Sequence, residues 1–372
     1  MIRAWRFMFL LVALTLVVVI GLACTAPFYV RFQRGQGCEG CHEMAAYVNT
    51  VHSSAHRKTN CMQCHTASMA TKLRHLRVHF TGQAPEAIRL RDVDVFEMTA
   101  KCESCHQHEY AAWQAGPHSA SYAQIFSDPV HNGKRRLSDD CLRCHGMHFN
   151  GAVRDLIQPL NTIGPWQLKS AAISGAPSMP CMACHQMHRE GAVQSRPVTR
   201  ISVAIPPVRD TLAFYDRREQ MHFAATFLSI PQLWDGARTV KISPDQRQAL
   251  CYQCHAPRQP DNGTPAAANH WGLQIGSGDD RTPMGVHEGV SCFSCHNGHN
   301  ESATASCKTC HPKMSNCGLD VEKMDSTFAN AKSAHNVHWV KCTDCHQHGV
   351  PKPKKDVERA TASTYPVLSA SE

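Results

Sequence analysis

"TAKCESCHQHEYAAWQAGPHSASYAQIF", residues 99–126, holds Cys102, Cys105 and His106 in the order C-x-x-C-H. The same order recurs at Cys38, Cys41 and His42, at Cys61, Cys64 and His65, at Cys141, Cys144 and His145, and at Cys181, Cys184 and His185. Four further copies follow, at Cys251, Cys254 and His255, at Cys292, Cys295 and His296, at Cys307, Cys310 and His311, and at Cys342, Cys345 and His346. Nine copies take up all but two of the 20 cysteines, Cys24 and Cys317.

C-x-x-C-H is the attachment signature of c-type haem. Two thiols add across the porphyrin vinyl groups, and the adjacent histidine reaches the iron. Zinc ribbons also use C-x-x-C pairs, but they need no histidine beside the second cysteine. Disulfides do not demand this spacing either. Nine covalent haems are therefore expected. Aromatic residues make up only 7% of the 372 residues, so porphyrins would supply much of the interior.

The formal charge of +8 excludes less than it suggests. Nine haems would bring about eighteen propionate carboxylates and, when oxidised, about nine positive irons. The holoprotein is then near neutral oxidised and carries about ten negative charges reduced. The basic residues are accounted for as propionate partners, and nucleic-acid binding does not follow.

Residues 7–30, "FMFLLVALTLVVVIGLACTAPFYV", contain no charge and are long enough to span a bilayer. Arg3 and Arg6 precede them, which puts the N-terminus in the cytoplasm and the haem segments on the periplasmic side of an inner membrane. A cleaved signal peptide and a lipidated Cys24 are the alternatives; for the latter, Gly21 stands where leucine is expected.

The motif spacing divides the chain into an anchor (1–30), a dihaem segment (31–99), a trihaem segment (100–188), a haem-free insertion (189–250), a tetrahaem segment (251–348) and a flexible tail (349–372). The expected fold is mainly α and irregular, with short helices and loops wrapped around a haem array. "TAKCESCHQHEYAAWQAGPHSASYAQIF" and "SAHNVHWVKCTDCHQH" are expected to be helical. In the insertion, "MHFAATFLSIPQLW" from Met221 predicts a helix stopped by Pro231.

Of 25 histidines, nine lie in the motifs and sixteen remain for nine distal positions. His148, His188 and His299 each stand three residues beyond a motif histidine. So close to one proximal ligand, such a side chain reaches an adjacent iron more easily than its own. His118, His287, His335 and His338 are the next candidates. Two imidazoles make a six-coordinate iron suited to electron transfer, whereas catalysis needs an open position. Tyr215, Arg217, Arg218 and His222 are the residues of the insertion that would line such an open site.

The anchor followed by "CEGCHEM" and "HSSAHRKTNCMQCH" resembles the NapC/NirT-type membrane-anchored quinol dehydrogenases. The resemblance covers roughly residues 1–110. It implies that Met44 is the distal ligand of the haem on Cys38 and Cys41, that His56 ligates another haem, and that Lys72 lies near a quinol site. That group usually carries four haems, and this chain has nine motifs. "CESCHQHEYAAWQAGPHSASYA" is similar to cytochromes of the c554 type, with Gly116 where their serine is expected. "CMACHQMH" and "CFSCHNGH" are similar to doubled-motif multihaem cytochromes. The resemblances imply an electron conduit from quinol, or another inner-membrane donor, to a periplasmic or outer-membrane redox protein. The alternative is a multihaem reductase of nitrite, hydroxylamine or a sulfur oxyanion.

Overall fold

The computed structural model describes residues 2–32, 44–65, 69–83, 91–133, 137–139, 141–160, 163–188, 208–209, 211–234, 237–255, 282–299, 337–341, 343 and 348. These form a mainly α and irregular chain, in which the only strands are short and pair two by two. Two compact units divide it, one of Met1–Gln107 with Met187–Val193, the other of His108–Gln186 with Gln194–Glu372.

The first unit opens with α1 (Ile2–Phe32). Its stretch Trp5–Ala26 has a mean hydropathy of 2.9 and is fully exposed. Such a helix is long and apolar enough to cross a bilayer, as single-pass anchors and signal sequences are. Thr15 and Thr25 donate their hydroxyls to the carbonyls of Leu11 and Gly21, so neither needs water.

Among the described residues four helices follow: α2 (Ala45–His52), α3 (Cys61–Cys64), α4 (Met69–Phe80) and α5 (Asp92–Cys102). Asn60 starts α3 with a reciprocal cap. Its Oδ1 accepts from the Met62 amide at 2.9 Å, and Gln63 Oε1 accepts from the Asn60 amide at 2.8 Å. That cap places the thiol of Cys61 at a helix start. α5 carries Asp92 and Asp94 in its first turn, where they complement the helix dipole. Val95 and Thr99 are the buried face of α5.

The second unit begins with α6 (Gln107–Ala115), a 3-10 turn at Pro117–Ser119 and α7 (Tyr122–Phe126). The helical expectation for residues 99–126 thus holds. The buried side chains Tyr122, Phe126, Leu142, Leu156, Ile157 and Trp166 form the apolar interior around α7, α8 (Pro129–Asn132), α9 (Cys141–His145) and α10 (Val153–Leu156). A ribbon of β1 (Ile157–Gln158) and β2 (Gln167–Leu168) closes this region.

The insertion differs from its sequence expectation. Met221–Ala224 is a strand, β4, paired antiparallel with β3 (Ala213–Asp216). The predicted helix is absent there, and only Ala225–Phe227 makes a 3-10 turn. The register sets Phe214 against Phe223 and Tyr215 against His222. An apolar run this short has no period that separates helix from strand, and aromatic cross-strand pairs decide for the hairpin. β5 (Leu233–Trp234) and β6 (Thr239–Val240) make the third ribbon. Beyond it, the amides of Met284 and Val286 donate to the carbonyls of His338 and Val340, at 2.7 and 2.9 Å. Gly285 sits between them at φ +66°, and a Cβ there would overlap the Val340 carbonyl. Of "SAHNVHWVKCTDCHQH", the described part is a 3-10 turn at Val337–Trp339 with a few residues beyond it.

Candidate metal centres

Six of the nine motifs lie in the described residues. Five of these share one local geometry. The amide of the motif histidine donates back to the carbonyl of the first cysteine at His65, His106, His185, His255 and His296, over 2.7–3.0 Å. One helical turn therefore groups two thiols and an imidazole. The sixth, Cys141–His145, is α9 itself. None of the twelve motif cysteines described is in a disulfide.

The thiols of different motifs crowd together within each unit. In the first, Cys64 lies beside Cys102 and Cys105, and burial followed by these neighbours pushes its pKa up. In the second, burial pushes Cys184 up to about 12, with Cys254 adding to it. Cys292 is hydrogen-bonded to Cys251, which together with burial raises it further. Cys184 and Cys254 also pack against the cluster of Met147, Ala183, Phe214, Ala225 and Leu250. Beside the motifs of Cys251 and Cys292, Gln248 is fully buried. Its Nε2 donates to the Ser243 carbonyl at 2.6 Å, and its Oε1 accepts from the Cys292 amide at 3.2 Å.

The histidines show a second regularity. A metal–imidazole bond is about 2.0 Å long and the ring centroid lies about 1.1 Å further out, so two imidazoles facing across one metal ion have centroids about 6.2 Å apart. Five pairs stand near that separation: His65 with His188 at 5.9 Å, His56 with His106 at 6.1 Å, His118 with His255 at 6.3 Å, His185 with His299 at 6.0 Å, and His296 with His338 at 6.0 Å. Each joins one motif histidine to one histidine outside the motifs. His188 and His299 stand opposite the histidine of a different motif from the one they follow.

Backbone carbonyls orient one of these rings and one histidine outside the pairs. His188 Nδ1 is 3.2 Å from the Tyr47 carbonyl, and His287 Nδ1 is 3.0 Å from that of Val337. A proton held on Nδ1 leaves Nε2 with its lone pair, the arrangement a metal ligand needs. Burial lowers the pKa of both His65 and His188, which keeps them neutral.

His148 is placed differently. Its ring lies flat on Tyr215, with centroids 4.0 Å apart and planes 18° from parallel. The Met182 carbonyl hydrogen-bonds it, while the buried Nε2 has no partner. Burial, with His222 nearby, pushes its pKa down to about 3. His222 spends its own Nε2 on the Met182 carbonyl at 2.7 Å, so that nitrogen is not available to a metal. Arg217 donates to the Gly151 carbonyl and Arg218 is exposed. The four insertion residues named for an open site are thus engaged with the hairpin and its neighbours, or face solvent.

Met44 is half-buried and caps α2 without a side-chain bond. Cys38, Cys41, His42, Cys307, Cys310, His311, His335, Cys342, Cys345 and His346 lie outside the described residues, as does the side chain of Lys72.

Residues 101–159 match the family model for cytochrome c554 and c-prime. The segment is similar to c-type multihaem cytochromes. Such cytochromes bind haem covalently and transfer electrons. No curated protein and no solved structure matches the chain. The grouped thiols, the facing imidazole pairs and the orphaned Nε2 of His148 all fit covalent, axially ligated haem.

Sequence reasoning named every histidine in the five pairs and missed how they pair. It also missed Gln248 and the Tyr47 carbonyl. A buried glutamine carries no sequence signature, and a carbonyl carries none at all.

Proposed function

We propose that the chain is a membrane-anchored nine-haem c-type cytochrome. It would carry electrons from the quinol pool, or from another inner-membrane donor, to a periplasmic or outer-membrane redox partner. The five histidine pairs support this reading most strongly, because their centroid separations match two imidazoles sharing one metal ion. A substrate needs an open coordination position, and a metal held by such a pair would offer none.

When bound, haem supplies a reversible one-electron centre whose potential is set by its ligands. The cysteines fix each ring at two points. In this reading His65 and His188, His106 and His56, His255 and His118, His185 and His299, and His296 and His338 would each hold one metal ion between them. They exclude water and small oxyanions from the metal. Tyr47 and Val337 hold His188 and His287 in one tautomer through their carbonyls. His148, His287 and His335 would serve motifs whose second ligand is not yet paired. Met44 would face the motif of Cys38, Cys41 and His42, where a thioether raises the potential of a first acceptor near the membrane.

Purified protein should carry nine haems by intact mass, and a reduced short-chain quinol should reduce them. Haems that stay oxidised under excess quinol would sink quinol as the donor.

A further inference from the structure

The five pairs share a separation but differ in how the rings are turned. His296 and His338 have planes 5° apart, and His185 and His299 are 10° apart. His65 with His188 is turned by 32°, and His118 with His255 by 40°. His56 and His106 are turned by 72°, close to crossed. We infer that the haem site held by His56 and His106 is electronically unlike the parallel sites of His185 with His299 and of His296 with His338. The inference rests on each pair ligating one iron.

The physical cause lies in which metal orbitals the rings touch. A filled π orbital of imidazole projects perpendicular to the ring and raises one of the two iron dπ orbitals. Two parallel rings raise the same orbital, so the dπ pair splits. Two crossed rings raise one each, so the pair stays nearly degenerate. Low-spin ferric iron with a split pair gives a rhombic, three-feature EPR spectrum. With a near-degenerate pair it keeps orbital angular momentum and gives one broad feature at lower field. The splitting also stabilises the ferric state, so the crossed site has the more positive potential, other terms being equal.

Named contacts place the backbone on both sides of the crossed pair. The His56 amide donates to Ser54 Oγ at 3.0 Å, and Ser54 Oγ donates to the Val51 carbonyl at 2.8 Å. The His56 carbonyl accepts from the Thr59 amide at 2.8 Å. This tight turn after α2 fixes where the His56 side chain leaves the backbone. His106 is fixed by its bond back to Cys102. On the parallel side, the His299 amide is held by Asn297 Oδ1 at 3.0 Å, and the His338 carbonyl by the Met284 amide. These contacts fix where both side chains of the crossed pair leave the backbone, and the ring angle follows from their side-chain torsions.

The test is EPR spectroscopy of the oxidised, full-length holoprotein, with haem content checked by intact mass. His56→Ala should remove a broad low-field feature worth one haem and bring in a high-spin signal of equal weight. His299→Ala should instead remove one rhombic signal. His56→Met keeps six-coordination where the alanine variant misfolds, and it should remove the same broad feature. If His56→Ala or His56→Met removes a rhombic signal and the broad feature persists, the crossed assignment is overturned while the ligand pair stands. If His56→Ala yields no high-spin haem, the ligand pair itself fails, and the inference fails with it.

Discussion

Tyr215 is the clearest case of one side chain with two structural duties. It stacks on His148 at 4.0 Å and meets its cross-strand partner His222 edge-on at 5.1 Å. Aromatic pairs of this kind contribute about 0.5–1.5 kcal/mol beyond the area they bury. Tyr215→Phe keeps the ring and both ring contacts, and should lower the denaturant midpoint much less than removal of the whole side chain. Tyr215→Ala should lower stability by about 3 kcal/mol, the stacking loss added to the cavity left behind. Equal midpoints for the two variants would show that the stack carries no stability. At this scale the sequence was most informative about attachment and least about partnership. Covalent attachment needs two thiols and an imidazole within five residues, so the whole site is written contiguously. The second ligand needs only to arrive in space, and His118 reaches His255 from a distant part of the chain. No spacing rule connects them. His188 and His299 stand opposite the histidine of another motif, which agrees with the expectation that a side chain three residues on cannot easily double back around its own ring.

Between single residues and the whole chain, the turn at Ser243–Ala249 shows how one element serves two motifs. Asp245 is buried, accepts from Arg247 Nε and Nη2 at 2.9 and 2.6 Å, and accepts from Ser291 Oγ at 2.8 Å. Ser291 immediately precedes Cys292, and the turn leads directly into Cys251. The turn thus ties together two attachment sites whose thiols already touch. Burial alone would raise the Asp245 pKa, but the bonds from Arg247 and Ser291 and the Arg247 charge outweigh it and hold the carboxyl below its ordinary value. A carboxylate depressed in the folded state stabilises above its unfolded pKa, about 3.9, and that contribution disappears as pH falls through the folded value. Asp245→Asn should therefore cost about 2 kcal/mol at neutral pH, within the range for losing charged hydrogen bonds. Its stability should also be flatter than wild type below about pH 4. Urea unfolding at neutral and acid pH measures both, and parallel losses on acidification would contradict the assignment. The sequence hid this element because Asp, Arg, Gln and Ser in a row look like an ordinary solvated turn. The hairpin of β3 and β4 was hidden for a related reason. "MHFAATF" is apolar at positions that suit a helix or a strand, and only the pairing of Phe214 with Phe223 and Tyr215 with His222 selects the strand. The helices around Cys102 were legible because long, weakly branched runs with capping residues have few alternatives.

At the scale of the whole molecule, α1 stands apart from everything else described. Its Trp5–Ala26 stretch spans about 33 Å at 1.5 Å per residue, enough for a hydrocarbon core of about 30 Å. Every side chain in that stretch is exposed, so none contributes to the packing of the chain described here. An apolar surface of that length is costly in water, and its removal should therefore leave the haem-binding parts intact. Replacing residues 1–32 with a cleavable export signal should move the protein from the membrane fraction to the soluble periplasmic fraction. Haem content by mass and the low-spin spectrum should not change, because the first ring pair begins well beyond α1. The unmodified protein should stay with the membrane through high salt and leave it only in detergent. A native chain found soluble and lacking its first residues by N-terminal sequencing would make α1 a signal peptide. A signal-swapped chain that still sediments with membranes would place a second contact elsewhere on the molecule. The swap also bears on electron entry. If quinol reduces the anchored protein and no longer reduces the soluble form, whose haems remain intact, the helix positions the entry site at the bilayer. If both are reduced alike, the donor meets the haem-bearing part directly and α1 acts as a tether.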